Sequence, residues 1–191
     1  MKLTPAVLED ECVRLEPFTD ALREPVRAAL DVDPDAWSIM VSSAYGPAFD
    51  GWWDEAMAGL AAGTRIPFAI VRQGRVVGTT SYAEISERHR KLEIGSTFYH
   101  PDARGGPVNP ACKRLMLGHA FDQGAVRCEL VVDAVNARSR AAVLRLGAVE
   151  EGILRRHKIT HTGRIRDTVV FSITDHDWPS VRARLDARLA G

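Results

Sequence analysis

Cysteine, lysine and long apolar runs are all scarce in this chain. The three cysteines, Cys12, Cys112 and Cys128, are odd in number and widely spaced, and no Cys-x-x-Cys pair occurs. Neither a disulfide scaffold nor a structural zinc site is indicated, and buried free thiols in a reducing compartment are expected. No apolar run approaches the ~20 residues of a membrane span, and the N-terminus lacks a signal-peptide core. A cytoplasmic location without a membrane partner follows as the expectation. Formal net charge is +0, so a nucleic-acid partner held by a broad basic surface is not expected. Arginine supplies nearly all the positive charge, since Lys2, Lys91, Lys113 and Lys158 are the only lysines.

At 191 residues the chain is long enough to bury a substantial core, and it is read as one domain over residues 1–191. Cys12 to Phe18 alternates as a strand does. Asp20 to Leu30 is helical, with Ala21, Val26, Ala29 and Leu30 turned to the core. A long mixed loop fills 31–50, and Asp50 is placed to cap a helix over 51–62 that Gly63 ends. Strands 66–71 and 76–82 meet at Gln73-Gly74, a hairpin signal. A strand over 92–99 feeds the Arg-Gly-Gly turn at 104–106 and then a helix ending near Gln123-Gly124. For that helix Asn109 is the expected N-cap and Pro110 the first helical residue. Further strands are read over 126–132, 149–161 and 164–173, the last two a hairpin about Thr162-Gly163. Helices are read over 137–146, stopped by Gly147, and over 178–189. The order β-α-α-β-β-β-α-β-α-β-β-α holds no repeat or linker and describes an α/β fold.

A helix N-terminus presents unpaired N–H groups and the positive end of a dipole, a ready site for phosphate. Glycines before it let a pyrophosphate approach the backbone closely. An ordinary strand-to-helix turn reads the same way, so the turn alone does not decide.

The company it keeps does. Glu93-Ile94-Gly95 followed by Pro101 to Gly106, then Asn136-Ala137-Arg138-Ser139, Leu146-Gly147-Ala148 and Glu150-Glu151-Gly152, resembles the GNAT superfamily of N-acetyltransferases over essentially the whole chain. The strand Arg166 to Ile173 is similar to the ribosomal-protein alanine N-acetyltransferase-like (RimJ/RimL-type) branch. The resemblance implies a central mixed, mostly antiparallel twisted sheet flanked by helices, with its fourth and fifth strands splayed around acyl-CoA. It also implies acetyl-CoA as co-substrate, no metal, and direct acetyl transfer to a primary amine on a peptide N-terminus or a small molecule. Arg104 matches the first position of the family's phosphate loop, whereas Pro107 stands where a glycine is usual and removes one backbone donor. The cofactor-binding set carried over is Phe98, Arg104, Gly105, Gly106, Val108, Asn109, Asn136 and Ser139.

Acetyl transfer needs a base for the acceptor ammonium, a donor to the thioester oxygen and an acid for the departing thiolate. Glu93 is the expected base; pairing with a nearby arginine is its competing role. The family's usual tyrosine acid falls at Val143, which has no proton to give. Ser139 is the fallback, with a helix or pantetheine contact as its alternative and solvent protonation a third course. The resemblance places Trp37, Tyr45, Trp52 and Trp53 about the acceptor wall, only some of them lining it, and Trp37, Trp53 and Asp167 are the expected acceptor contacts. His157 and His161, four apart, would share a strand face but lack further ligands for a metal. The terminal hairpin offers a surface for a homodimer. A catalytically silent acyl-CoA-binding module is the alternative to an enzyme.

Overall fold

Strand-forming runs occupy the middle of the chain, and a computed structural model describing residues 1–191 joins them in one eight-stranded sheet. The strands are β1 (Leu8–Glu9), β2 (Arg14–Pro17), β3 (Ile66–Arg72), β4 (Arg75–Ser86), β5 (Lys91–Tyr99), β6 (Arg127–Asp133), β7 (Val149–Ile159) and β8 (Ile165–Thr174). Their order is β1-β2-β3-β4-β5-β6-β8-β7. Every neighbouring pair is antiparallel except β5 with β6. The two-residue β1 is absent from the sequence reading, so the expected fourth and fifth strands are β5 and β6. Gln73 and Gly74 both take positive φ (50° and 74°), the backbone a two-residue hairpin turn requires.

Six helices flank the sheet: α1 (Arg23–Leu30), α2 (Pro34–Ser38), α3 (Phe49–Ala61), α4 (Val108–Asp122), α5 (Ala137–Leu146) and α6 (Trp178–Ala190). Alternation along β3 divides the core. Ile66, Phe68 and Ile70 join a cluster with Met116 and Leu117 of α4, Leu146 of α5 and Leu185 of α6. Ala69 joins a second cluster with Val26 of α1, Trp37 of α2 and Trp52 and Trp53 of α3. Successive strand residues point to opposite faces, so α4, α5 and α6 cover one face and α1, α2 and α3 the other. None of these helices is long and apolar enough to cross a membrane.

Several local expectations are corrected. The 31–50 segment contains α2, started by Asp33, whose side chain accepts from Ala36 N. Ala21 is exposed. Asp50 does not cap α3; Arg23 and Arg27 take its carboxylate. Helix α4 begins at Val108, and Asn109 instead accepts from the Tyr99 hydroxyl at 2.9 Å. β7 ends at Ile159 and its pairing shifts between Leu154 and Lys158, so His157 and His161 share no strand face. His161 Nε2 donates to the Trp37 carbonyl at 2.9 Å, tying the hairpin to α2.

Candidate active site

β5 and β6 pair only at Lys91↔Arg127, Leu92↔Cys128 and Glu93↔Glu129, and then part. Just beyond, β5 carries a bulge. Thr79 pairs with Phe98 and Ser81 with Gly95, so Ser96 and Thr97 both lie opposite Thr80. Ser96 has φ 47°. One extra residue inverts the side-chain alternation. Leu92 and Ile94 face α4, whereas Phe98 faces the α1–α3 side. Between the diverging strands lies a cleft of about 240 Å³, lined by Glu93 to Phe98, Trp37, Trp52, Lys113, Lys158, Arg166 and residues of β6.

Glu93 points into this cleft from the α1–α3 side, opposite in alternation to Leu92 and Ile94. It forms no side-chain hydrogen bond and no ion pair, so the competing role as partner of an arginine is not what the geometry displays. Burial pushes its pKa up, with the nearby Lys158 ammonium opposing. A carboxylate that is desolvated, unpaired and open to a cleft is a stronger base than an ordinary exposed one. Gly95 makes room for it: a Cβ built there falls 2.2 Å from Glu93 Oε1. The Glu-x-Gly spacing thus has a steric reason, since residues two apart share a strand face.

A second groove, of about 360 Å³, continues from the cleft along α4 and α5; Met40, Thr97, Phe98, Asn136, Ser139 and Val143 line both. The Arg104 to Gly106 turn, expected to be the phosphate loop, forms its far end. Gly105 has φ 77°, and a Cβ on Gly105 or Gly106 would meet nothing within 4 Å, so this backbone is open to a ligand. The N–H groups of Gly105, Gly106, Val108 and Asn109 have no acceptor within the chain. Arg104 N, by contrast, donates to Pro101 O at 3.1 Å and leaves the expected donor set. Of these, Gly105, Gly106 and Asn109 line the groove, and free donors about a helix start suit a phosphate.

The Arg104 side chain is also committed. Its guanidinium pairs with Asp33, donates from Nε to Tyr99 O at 2.8 Å and lies 5.2 Å from the Phe98 ring centre. Arg104 in turn holds the Asp33 carboxyl below its ordinary pKa. Arg104 therefore latches α2 to the phosphate loop and lends the groove little free charge. Arg138, Arg145 and Arg188 are exposed on the rim of the same groove and form no ion pair. They are unpaired cations beside the loop; Arg138 lies in the Asn136 to Ser139 motif, whereas Arg145 and Arg188 fall in no motif of the sequence.

Asn136 caps α5, its Oδ1 accepting from Ser139 N at 3.0 Å, and both residues line cleft and groove. Val143 is buried at the groove wall. Val108 is fully buried in the core and does not line the groove, so it leaves the expected cofactor-binding set. Of the expected acceptor contacts, Trp37 lines the cleft and stacks on Phe98 at 4.5 Å. Trp53 does not line it; its ring stacks on Phe18 at 4.5 Å, and Trp52 takes the wall instead. Asp167 lies outside both cavities, its carboxylate accepting from Arg156 N at 2.7 Å. That bond supports the strained β7 residue Arg156, with φ 52°. Lys113, Lys158 and Arg166 line the cleft without having been singled out from the sequence, because each lies in a segment whose pattern gives only an element.

Comparison with known proteins agrees with this geometry. Residues 13–149 match the family described as acetyltransferase (GNAT) domain. A solved structure described as a putative acetyltransferase from T. thermophilus is 34% identical. It superposes with a TM-score of 0.87, covering 99% of this chain and 100% of that chain. A GCN5-related N-acetyltransferase from Brucella melitensis is 29% identical with a TM-score of 0.87, covering 99% of this chain and 87% of that chain. Among curated proteins, the putative ribosomal N-acetyltransferase YdaF of Bacillus subtilis (strain 168) is 28% identical over 114 residues, 59% of this chain and 61% of that protein. The chain spans 61% and 55% of the lengths of the two curated relatives it matches.

Proposed function

The chain belongs to the GNAT acetyltransferase family, and on that premise we propose that it moves an acetyl group directly from acetyl-CoA to a primary amine. The observation that carries this reading is Glu93: an unpaired, largely buried carboxylate with raised pKa, in the cleft where β5 and β6 part. A protonated amine cannot attack a thioester, and Glu93 is placed to take that proton directly or through one water. The loop N–H groups at Gly105, Gly106 and Asn109 and the rim arginines hold the CoA phosphates. Asn136 and Ser139 meet the pantetheine arm. The bulge at Ser96-Thr97 turns strand backbone toward the thioester oxygen, where negative charge develops.

The acceptor enters from the α1–α3 face, over Trp37, Met40 and Trp52, and its amine is that of a protein or peptide N-terminus. Support for that choice is the similarity to a curated relative named for ribosomal acetylation; a small-molecule amine is the outcome that would redirect it. The experiment is CoA release monitored with a thiol reagent, across N-terminal peptides and small amines, with mass-spectrometric identification of the acetylated product. Stoichiometric CoA and acetyl-amine support the reading. Acetyl-CoA binding without transfer to any amine refutes it.

A further inference from the structure

We propose that Lys113 is the acid that protonates the departing CoA thiolate, an assignment that rests on the acetyl-transfer reading. Lys113 lies on α4 with only 5% of its surface exposed. It forms no ion pair, and its one hydrogen bond is from Nζ to Thr97 Oγ1 at 3.3 Å. Holding an ammonium inside a fold with a single hydroxyl partner is unfavourable, and a lysine so placed as a mere packing element would be better replaced by an apolar residue. Its position gives the reason to keep it. Lys113 reaches the cleft from the α4 face, beside the bulge, while Glu93 reaches the same cleft from the α1–α3 face. Base and acid thus approach the reacting centre from opposite sides of the sheet, the acceptor's side and the side of the helix that carries the CoA loop.

Lys158 is the other ammonium on these walls, but it is partly exposed, whereas Lys113 is buried beside the bulge. Val143 has no proton to give, and Ser139 is an ordinary hydroxyl. The Tyr99 hydroxyl donates to Asn109. Arg166 and the rim arginines do not release protons near neutrality. Glu93 from β5 and Cys112 from its own helix act on the charge of Lys113, and Asp133 from β6, Lys158 from β7 and Arg166 from β8 share the cleft wall with it. β4 adds only the Thr80 hydroxyl, 2.8 Å from Thr97 Oγ1. Asp133 is already held by Arg164. Burial lowers the Lys113 pKa to about 8, close to the roughly 8.5 of an ordinary thiol, so proton transfer to sulfur is nearly balanced. In the step, Glu93 takes one proton from the acceptor ammonium and passes it to solvent; the free amine nitrogen then attacks the acetyl carbon, and Glu93 takes the second proton that nitrogen sheds. The C–S bond then breaks, its electron pair stays on sulfur, and a proton passes from Lys113 Nζ to that sulfur. The acetamide and CoA thiol leave, and solvent restores both protonation states.

Two readouts test this. In the first, free CoA is bound to the protein and its thiolate absorbance is followed against pH, with no acceptor present. The thiol of bound CoA should titrate about one pH unit lower on wild type and on Lys113→Arg than on Lys113→Met, because only the first two place a cation beside sulfur. In the second, kcat for acetyl transfer should fall about 100-fold in both variants, with KM for acetyl-CoA within about twofold of wild type. The wild-type fall in kcat above about pH 8 should be absent in Lys113→Arg. Equal thiol titration in wild type and Lys113→Met overturns the proposal, as does full kcat in Lys113→Arg. Failure of the acetyl-transfer reading has a different signature, no turnover by wild type on any amine, while the thiol titration still reports on Lys113. Lack of CoA binding to wild type overturns both.

Discussion

Replacing Gly95 by alanine tests how closely the cleft is built around Glu93. The new methyl would sit 2.2 Å from Glu93 Oε1, whereas ordinary contact begins near 3.4 Å. The carboxylate must therefore withdraw by roughly 1.2 Å, and a displacement of about 1 Å in a reacting group costs on the order of 100-fold in rate. Stability should hardly change. The obstructing atom is the far end of a flexible side chain, the φ of Gly95 is not in the left-handed region, and alanine loses less chain entropy on folding. Gly95→Ala is thus expected to melt within a few degrees of wild type, bind acetyl-CoA with similar affinity and lose about 100-fold in kcat. Steady-state kinetics alongside calorimetry decides the matter. Unchanged kcat in a folded Gly95→Ala protein would refute the placement of Glu93 as base.

Lys113 makes a pH-dependent prediction about folding. Its pKa falls from an ordinary 10.5 to about 8, so between these values the unfolded chain binds more protons and native stability rises with pH. Lys113→Met removes the linkage. It should be more stable than wild type near pH 7.5, and the difference should shrink by about 2 kcal/mol by about pH 9.5 in urea titrations; a constant difference contradicts the burial argument. Arg104→Ala and Asp33→Ala should prove coupled by about 1 kcal/mol in a double-mutant cycle on stability, because each loses the same partner. Additive effects would dissolve the latch between α2 and the loop. Arg145→Ala should weaken CoA binding by about tenfold in calorimetry while leaving dephosphorylated pantetheine binding unchanged; equal loss for both ligands would place Arg145 away from the phosphates.

Features governed by near neighbours in sequence were legible. Gln73-Gly74 sets a hairpin by its own backbone, Gly147 stops α5 with φ 98°, and Asn136 caps that helix with a bond three residues on. Features decided by distant partners were not. Asp50 looks like a cap until Arg23 and Arg27 compete for it, and Asn109 looks like one until Tyr99 claims its oxygen. Arg104 reads as a free cation because its counter-ion, Asp33, lies 71 residues away. Within the site, Glu93 is an expectation drawn from resemblance to a family strand, and the Arg-Gly-Gly turn one drawn from its place before a helix; the structure puts Glu93 on the cleft wall and both glycines in the groove. Lys113 could not be read: an amphipathic pattern locates α4 without telling which of its residues reaches the cleft.

The most direct test of the central claim compares wild type with Glu93→Gln in pre-steady-state acetyl transfer across pH. The substitution keeps size and polarity but removes the base. Wild type should release CoA in step with acetylated amine, its rate rising as Glu93 deprotonates. Glu93→Gln should bind acetyl-CoA normally, transfer about 100- to 1,000-fold more slowly and lose that acid limb. A variant that transfers at the wild-type rate with the same acid limb would contradict the assignment of Glu93 as the base.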